Sequence, residues 1–95
     1  MLEAKVKVIN QLGLHARAAA QLVRLASKYK SRIHLIRADN AVIADAKSIL
    51  SVLTLAASKG TEIILEVNGD DEQTALQATV ELFETGFGEL QNKKS

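Results

Sequence analysis

Residues 3–9 alternate, with Ala4, Val6 and Val8 on one side and Glu3, Lys5 and Lys7 on the other. That pattern predicts a half-buried strand, and Asn10-Gln11-Leu12-Gly13 is the turn out of it. Over residues 16–29 the period becomes helical, and Ala19, Leu22, Val23, Ala26 and Tyr29 form one apolar stripe. Alternation returns over residues 32–37, where Ile33 and Leu35 oppose Arg32 and His34. His34, on the charged side, is expected to face solvent. Asp39-Asn40 suits a tight hairpin leading to a short strand over residues 41–44. Ser48 opens a second helical stretch, expected to end at Lys59-Gly60 with a basic last turn and a glycine cap. Residues 61–67 alternate cleanly, Ile63, Leu65 and Val67 against Glu62 and Glu66. Asp70 and Gln73 have capping-box spacing ahead of Leu76, Thr79, Val80 and Phe83 at helical intervals, and Gly86 is the natural stop.

The predicted order is βαββαβα. Strands with one apolar and one charged face make an antiparallel sheet wetted on one side, so the helices must cover the other. The expected fold class is α+β: a two-layer open-faced sandwich with a four-stranded antiparallel sheet and three helices on one face. The 95 residues allow one domain, expected over 1–89, with 90–95 as a disordered tail.

Composition removes several classes of function. With no cysteine there is no disulfide framework, thiol nucleophile or thiolate metal site, which fits a cytoplasmic protein. A net charge of +1 and 3% aromatic residues offer little to nucleic acid. The longest apolar stretch, residues 49–57, is interrupted by Ser51 and Thr54 and falls far short of the ~20 residues of a membrane span. The start of the chain lacks the basic-then-apolar pattern of a signal peptide. No paired carboxylates, metal-ligand cluster or glycine-rich nucleotide loop stands out, and no cofactor is expected.

The candidate chemistry lies in Gly13-Leu14-His15-Ala16-Arg17-Ala18-Ala19. It puts an imidazole at the predicted start of a helix, where the first amides have no partners and the peptide dipoles leave partial positive charge. An anion carried by His15 meets waiting donors there. The same field favours an uncharged ring, whose lone pair can attack phosphorus. Without that context, a histidine at this position is simply a helix cap. Arg17, Gln21, Arg24 and Lys28 share a helix face leading away from His15, a solvated stripe or a track for an acidic partner. Ile49, Leu50, Val52, Leu53 and Leu55 overfill one face of a short helix, so part of the group is expected outside the core. Ser48 can cap that helix, and a phosphate on it would repel acidic partners.

The run Gly13-Leu14-His15-Ala16-Arg17 resembles the phosphorylation-site signature of the histidine-containing phosphocarrier (HPr) family of the phosphoenolpyruvate-dependent phosphotransferase system. Lys47-Ser48-Ile49-Leu50, with Leu53, Ala56, Lys59 and Gly60, is similar to that family's regulatory-serine helix. Leu82-Phe83-Glu84-Thr85-Gly86-Phe87-Gly88-Glu89 is similar to its C-terminal helix. The resemblance implies that His15 takes a phosphoryl group from phosphorylated Enzyme I and passes it to an enzyme IIA domain. Arg17 and the N–H groups of Ala16 and Arg17 would contact the phosphoryl oxygens. Leu50 and Leu53 match partner-facing positions, and Ser48 matches a serine that a dedicated kinase modifies in some relatives. The implied protein is a monomeric cytoplasmic carrier, not an independent catalyst, with no nucleic-acid partner and no membrane insertion. Ala18 departs from the family's usual proline, which implies a shifted transfer rate or partner preference without loss of the site. The features leave both the sugar-uptake and nitrogen-related branches open. The rivals are a regulatory module working through Ser48 and a nucleic-acid-binding α/β sandwich.

Overall fold

The alternating segments form four strands, β1 (Leu2–Lys7), β2 (Arg32–Arg37), β3 (Ile43–Asp45) and β4 (Glu62–Asn68). They pair in the order β1-β4-β2-β3, antiparallel throughout. The computed structural model describes residues 1–89, so the expected tail at 90–95 lies outside the described residues. Val6, Ile33, Leu35, Ala44, Ile63, Leu65 and Val67 are buried on the inner face. Each large aliphatic there is worth ~1.5–3 kcal/mol on burial. On the open face, Glu3, Glu66, His34 and Asp45 fall in register across the four strands. His34 is half-buried between its cross-strand neighbours, not fully exposed as the strand's charged face suggests.

Helices α1 (Ala16–Ala26), α2 (Ile49–Leu53) and α3 (Glu72–Glu84) cover the inner face, giving the expected open-faced sandwich. Ala18, Ala19, Leu22 and Ala26 of α1 and Ala75, Thr79 and Phe83 of α3 are buried beneath them. α3 packs on β1 and β4, while α1 touches both α2 and α3.

β1 and β3 lie off the expected spans 3–9 and 41–44, and three helix boundaries differ from the sequence expectation because tertiary partners take the backbone groups. α1 stops at Ala26, short of Tyr29. Beyond it the Lys47 ammonium donates to the Tyr29 carbonyl at 2.8 Å, and the Asp71 carboxylate accepts the Lys30 and Ser31 amides at 2.9 Å each. α2 ends at Leu53, well before Lys59-Gly60. The Arg37 guanidinium donates to the Leu55 carbonyl at 2.8 Å, and Ala56 turns left-handed at φ 49°. Gly60 instead leads into β4, its amide donating to Val8 at 2.7 Å. The Asp70–Gln73 capping box does not form. Asp71 occupies the cap position and spends its carboxylate on Lys30 and Ser31, while Glu72 Oε1 accepts the Gly69 amide at 3.2 Å.

Candidate functional site

The chain enters α1 through a turn that fixes His15. The Gly13 amide donates to the Asn10 carbonyl at 3.1 Å, and the Leu14 amide donates to Ala57 at 2.9 Å. Gly13 has φ +69°, and a Cβ there would lie 2.5 Å from the Ala57 carbonyl oxygen. Only glycine meets both demands without strain. Leu14 is buried as an anchor, and the next residue caps the helix.

His15 has the extended backbone of an N-cap, with φ −77° and ψ −179°. Its carbonyl accepts the Ala19 amide at 2.8 Å, the first bond of the helix. Its Nδ1 accepts the Arg17 amide at 3.2 Å. A main-chain N–H can only donate, so Nδ1 holds a lone pair and the neutral ring carries its proton on Nε2. Nε2 then donates to Glu89 Oε2 at 2.7 Å, with the His15 and Glu89 side chains 25% and 17% exposed. The nitrogen that holds the lone pair therefore faces the start of α1, and the protonated one faces a carboxylate.

Glu89 is itself held. Asn10 Nδ2 donates to Glu89 Oε1 at 3.1 Å and to the Gly13 carbonyl at 2.9 Å. Burial pushes the Glu89 carboxyl up, but hydrogen bonds from Asn10 and His15 and the nearby Arg17 charge outweigh it. The balance holds Glu89 below the usual carboxylate range. Neither Glu89 nor Asn10 stands out as a site residue in the sequence. Glu89 lies 74 residues from His15, and no local pattern links two such positions.

A family model described as the PTS HPr component phosphorylation site matches residues 2–85. The phosphocarrier protein HPr of Xylella fastidiosa (strain Temecula1) is 51% identical over 89 residues, covering 94% of this chain and 98% of the relative. The chain belongs to the HPr family. A crystal structure of HPr-C-His from Thermoanaerobacter tengcongensis superposes with a TM-score of 0.88 at 40% identity, covering 96% of this chain and all of that one. A crystal structure described as an HPr dimer from the same organism gives 0.72 at 40% identity, covering 94% of this chain and all of that one. The general role of this chain is thus that of a phosphocarrier of the phosphotransferase system.

The other residues singled out in the sequence differ in their settings. Arg17 and Arg24 are exposed on α1, and the Arg17 guanidinium makes no hydrogen bond or ion pair among the described residues. Gln21 does not belong to that free stripe, because its amide is half-buried and donates to the Phe87 carbonyl at 3.1 Å. On α2, Leu50 is 77% exposed and Ile49 41%, whereas Val52 is buried and Leu53 packs partly against the core. Leu55, just beyond the helix, is buried. The overfilled face therefore splits as its composition suggests. Leu12, in the turn before His15, is a further exposed aliphatic that alternation cannot flag. Ser48 is half-buried and caps α2, its hydroxyl accepting the Ser51 amide at 3.2 Å.

Among the described residues no three His, Cys, Asp or Glu side chains are placed to hold a metal ion. No described helix is long and apolar enough to cross a membrane. The groove of about 450 Å³ lined by Leu2, Leu76, Val80 and Glu84 contains none of the groups around His15.

Proposed function

We propose that His15 accepts a phosphoryl group on Nδ1 from phosphorylated Enzyme I and passes it to an enzyme IIA-type acceptor. The observation that carries this reading is the ring's orientation, with Nδ1 on the Arg17 amide and Nε2–H on Glu89. Nδ1 attacks phosphorus as the bond from phosphorus to the donor breaks, and the ring keeps its Nε2 proton. The Arg17 amide that held the lone pair then lies beside the new phosphoryl oxygens. Among the described residues, the exposed Ala16 amide has no acceptor, and it adds a donor of the kind that binds anions at helix starts. The exposed Arg17 guanidinium can swing onto the same oxygens.

Arg24, Leu50 and Leu53 supply the docking surface in this reading, with charge for an acidic partner and apolar area for its centre. The carrier works as a cytoplasmic monomer, because two successive partners must reach one face. Ser48 combines its cap with a regulatory role, since phosphate placed there by a serine kinase sets negative charge beside that face and slows transfer. Sugar-uptake and nitrogen-related branches differ in which IIA domain accepts the group.

Incubation with Enzyme I and phosphoenolpyruvate, followed by intact mass, tests the assignment. One acid-labile, base-stable phosphoryl adduct is expected, and His15→Ala removes it. An adduct that survives the substitution would overturn it.

A further inference from the structure

The turn that follows α3 is strained, and it ends at the histidine. Gly86, Phe87 and Gly88 all have left-handed backbones, with φ 61°, 56° and 75°. For phenylalanine that conformation costs ~1–3 kcal/mol and persists only where the surroundings impose it. Here Phe83 and Phe87 stack edge to face, with ring centroids 5.0 Å apart, and Gln21 holds the Phe87 carbonyl. The result brings the chain back over the start of α1 and presents Glu89 to His15.

Asn10 is a second, independent sign of constraint. It is fully buried, and its Oδ1 has no partner among the described residues. An orphaned buried acceptor costs ~1–3 kcal/mol, so its persistence asks for a reason. The reason on hand is the other side of the amide. The Gly13 carbonyl can only accept, which forces Nδ2 toward it and toward Glu89. The amide locks the carboxylate to the turn that carries His15.

We propose that Glu89, anchored by Asn10, is a positioning residue for the nucleophile. Its carboxylate keeps the imidazole proton on Nε2, leaves the Nδ1 lone pair at the helix end, and balances the charge the ring gains when Nδ1 bonds phosphorus. The proton stays on Nε2 throughout, the electron pair of Nδ1 forms the new bond, and the pair of the broken bond leaves with the donor. A buried carboxylate behind an imidazole plays the same orienting part in hydrolytic triads. The proposal rests on His15 being the phosphoryl acceptor, and it adds a group contributed by the far end of the fold.

Nitrogen-15 spectra of the His15 ring in the full chain, as wild type, Glu89→Ala and Glu89→Gln, read the tautomer directly. Wild type is expected to show the Nε2–H form alone, and Glu89→Ala a mixture. Uptake from phosphorylated Enzyme I, followed by intact mass, is expected to fall on the order of 10-fold in Glu89→Ala, as for one charge-assisted hydrogen bond. Glu89→Gln has one acceptor for two donors, so it should lie between. An unchanged tautomer in Glu89→Ala, or a changed tautomer with unchanged uptake, overturns the proposal. Wild type that takes up no phosphoryl group overturns the carrier reading instead, and the spectra still report whether Glu89 sets the ring.

Discussion

Arg17 has two parts at the site that a substitution can separate. Its amide holds Nδ1 and survives any side-chain change, whereas its exposed guanidinium is free to meet a dianion. Arg17→Ala is therefore expected to leave the melting temperature nearly unchanged and to slow phosphoryl uptake by about 10-fold or more, as when one donor to a developing anion is lost. Time courses of the intact mass check this, and an uptake rate equal to wild type would remove the guanidinium from the mechanism. Ala18 sits one residue further on, fully buried at the third helical position. It keeps an amide that the family's usual proline lacks, so this chain brings an extra donor to the helix start. Residue identity alone made His15 and Arg17 candidates, since a glycine turn, an imidazole and a guanidinium stand in close succession. It could not announce Glu89 or Asn10, whose value exists only where the chain ends meet.

At the scale of elements, α2 and the turn after it divide a run of aliphatic residues between core and surface. Val52 and Leu55 are fully buried, while Leu50 is 77% exposed. Leu55→Ala is expected to cost ~2–4 kcal/mol in urea unfolding through the cavity it leaves. Leu50→Ala should move stability by no more than ~0.5 kcal/mol and weaken transfer to partners instead. If Leu50→Ala destabilises as much as Leu55→Ala, that side chain belongs to the core and not to a docking face. The strands were legible because period-2 alternation reports directly which face is buried, and β2 matches its expected span residue for residue. The helix ends were not legible, because distant groups decide them. Arg37 from β2 collects the carbonyls beyond α2, and Asp71 from the start of α3 collects the amides beyond α1. The capping-box reading failed because α3 starts one residue later than it assumed, with Asp71 and not Asp70 at the cap position.

That claim by Asp71 also ties the whole molecule together, since it joins the α1–β2 turn to the α3 end of the sandwich. The Ser31 hydroxyl, the Lys30 amide and the Ser31 amide all donate to it, and they outweigh burial to draw its carboxyl down to about 2 from an ordinary 3.8. A carboxyl lowered in the folded state binds its proton more readily when unfolded, so it stabilises the fold above its ordinary value. That contribution is lost as pH falls from the ordinary value toward about 2. Asp71→Asn keeps the side chain's size but removes the charge, so its stability deficit should be full near neutral pH. The deficit should shrink across that acid window as wild-type Asp71 becomes protonated. Urea unfolding of both proteins over a pH series isolates this group, because the other lowered carboxyls, Asp39, Glu72 and Glu89, are common to the pair. A deficit that stays constant down to the acid limit would mean that the clamp works through shape alone. A deficit that closes would show the anion itself holding two segments 40 residues apart in sequence.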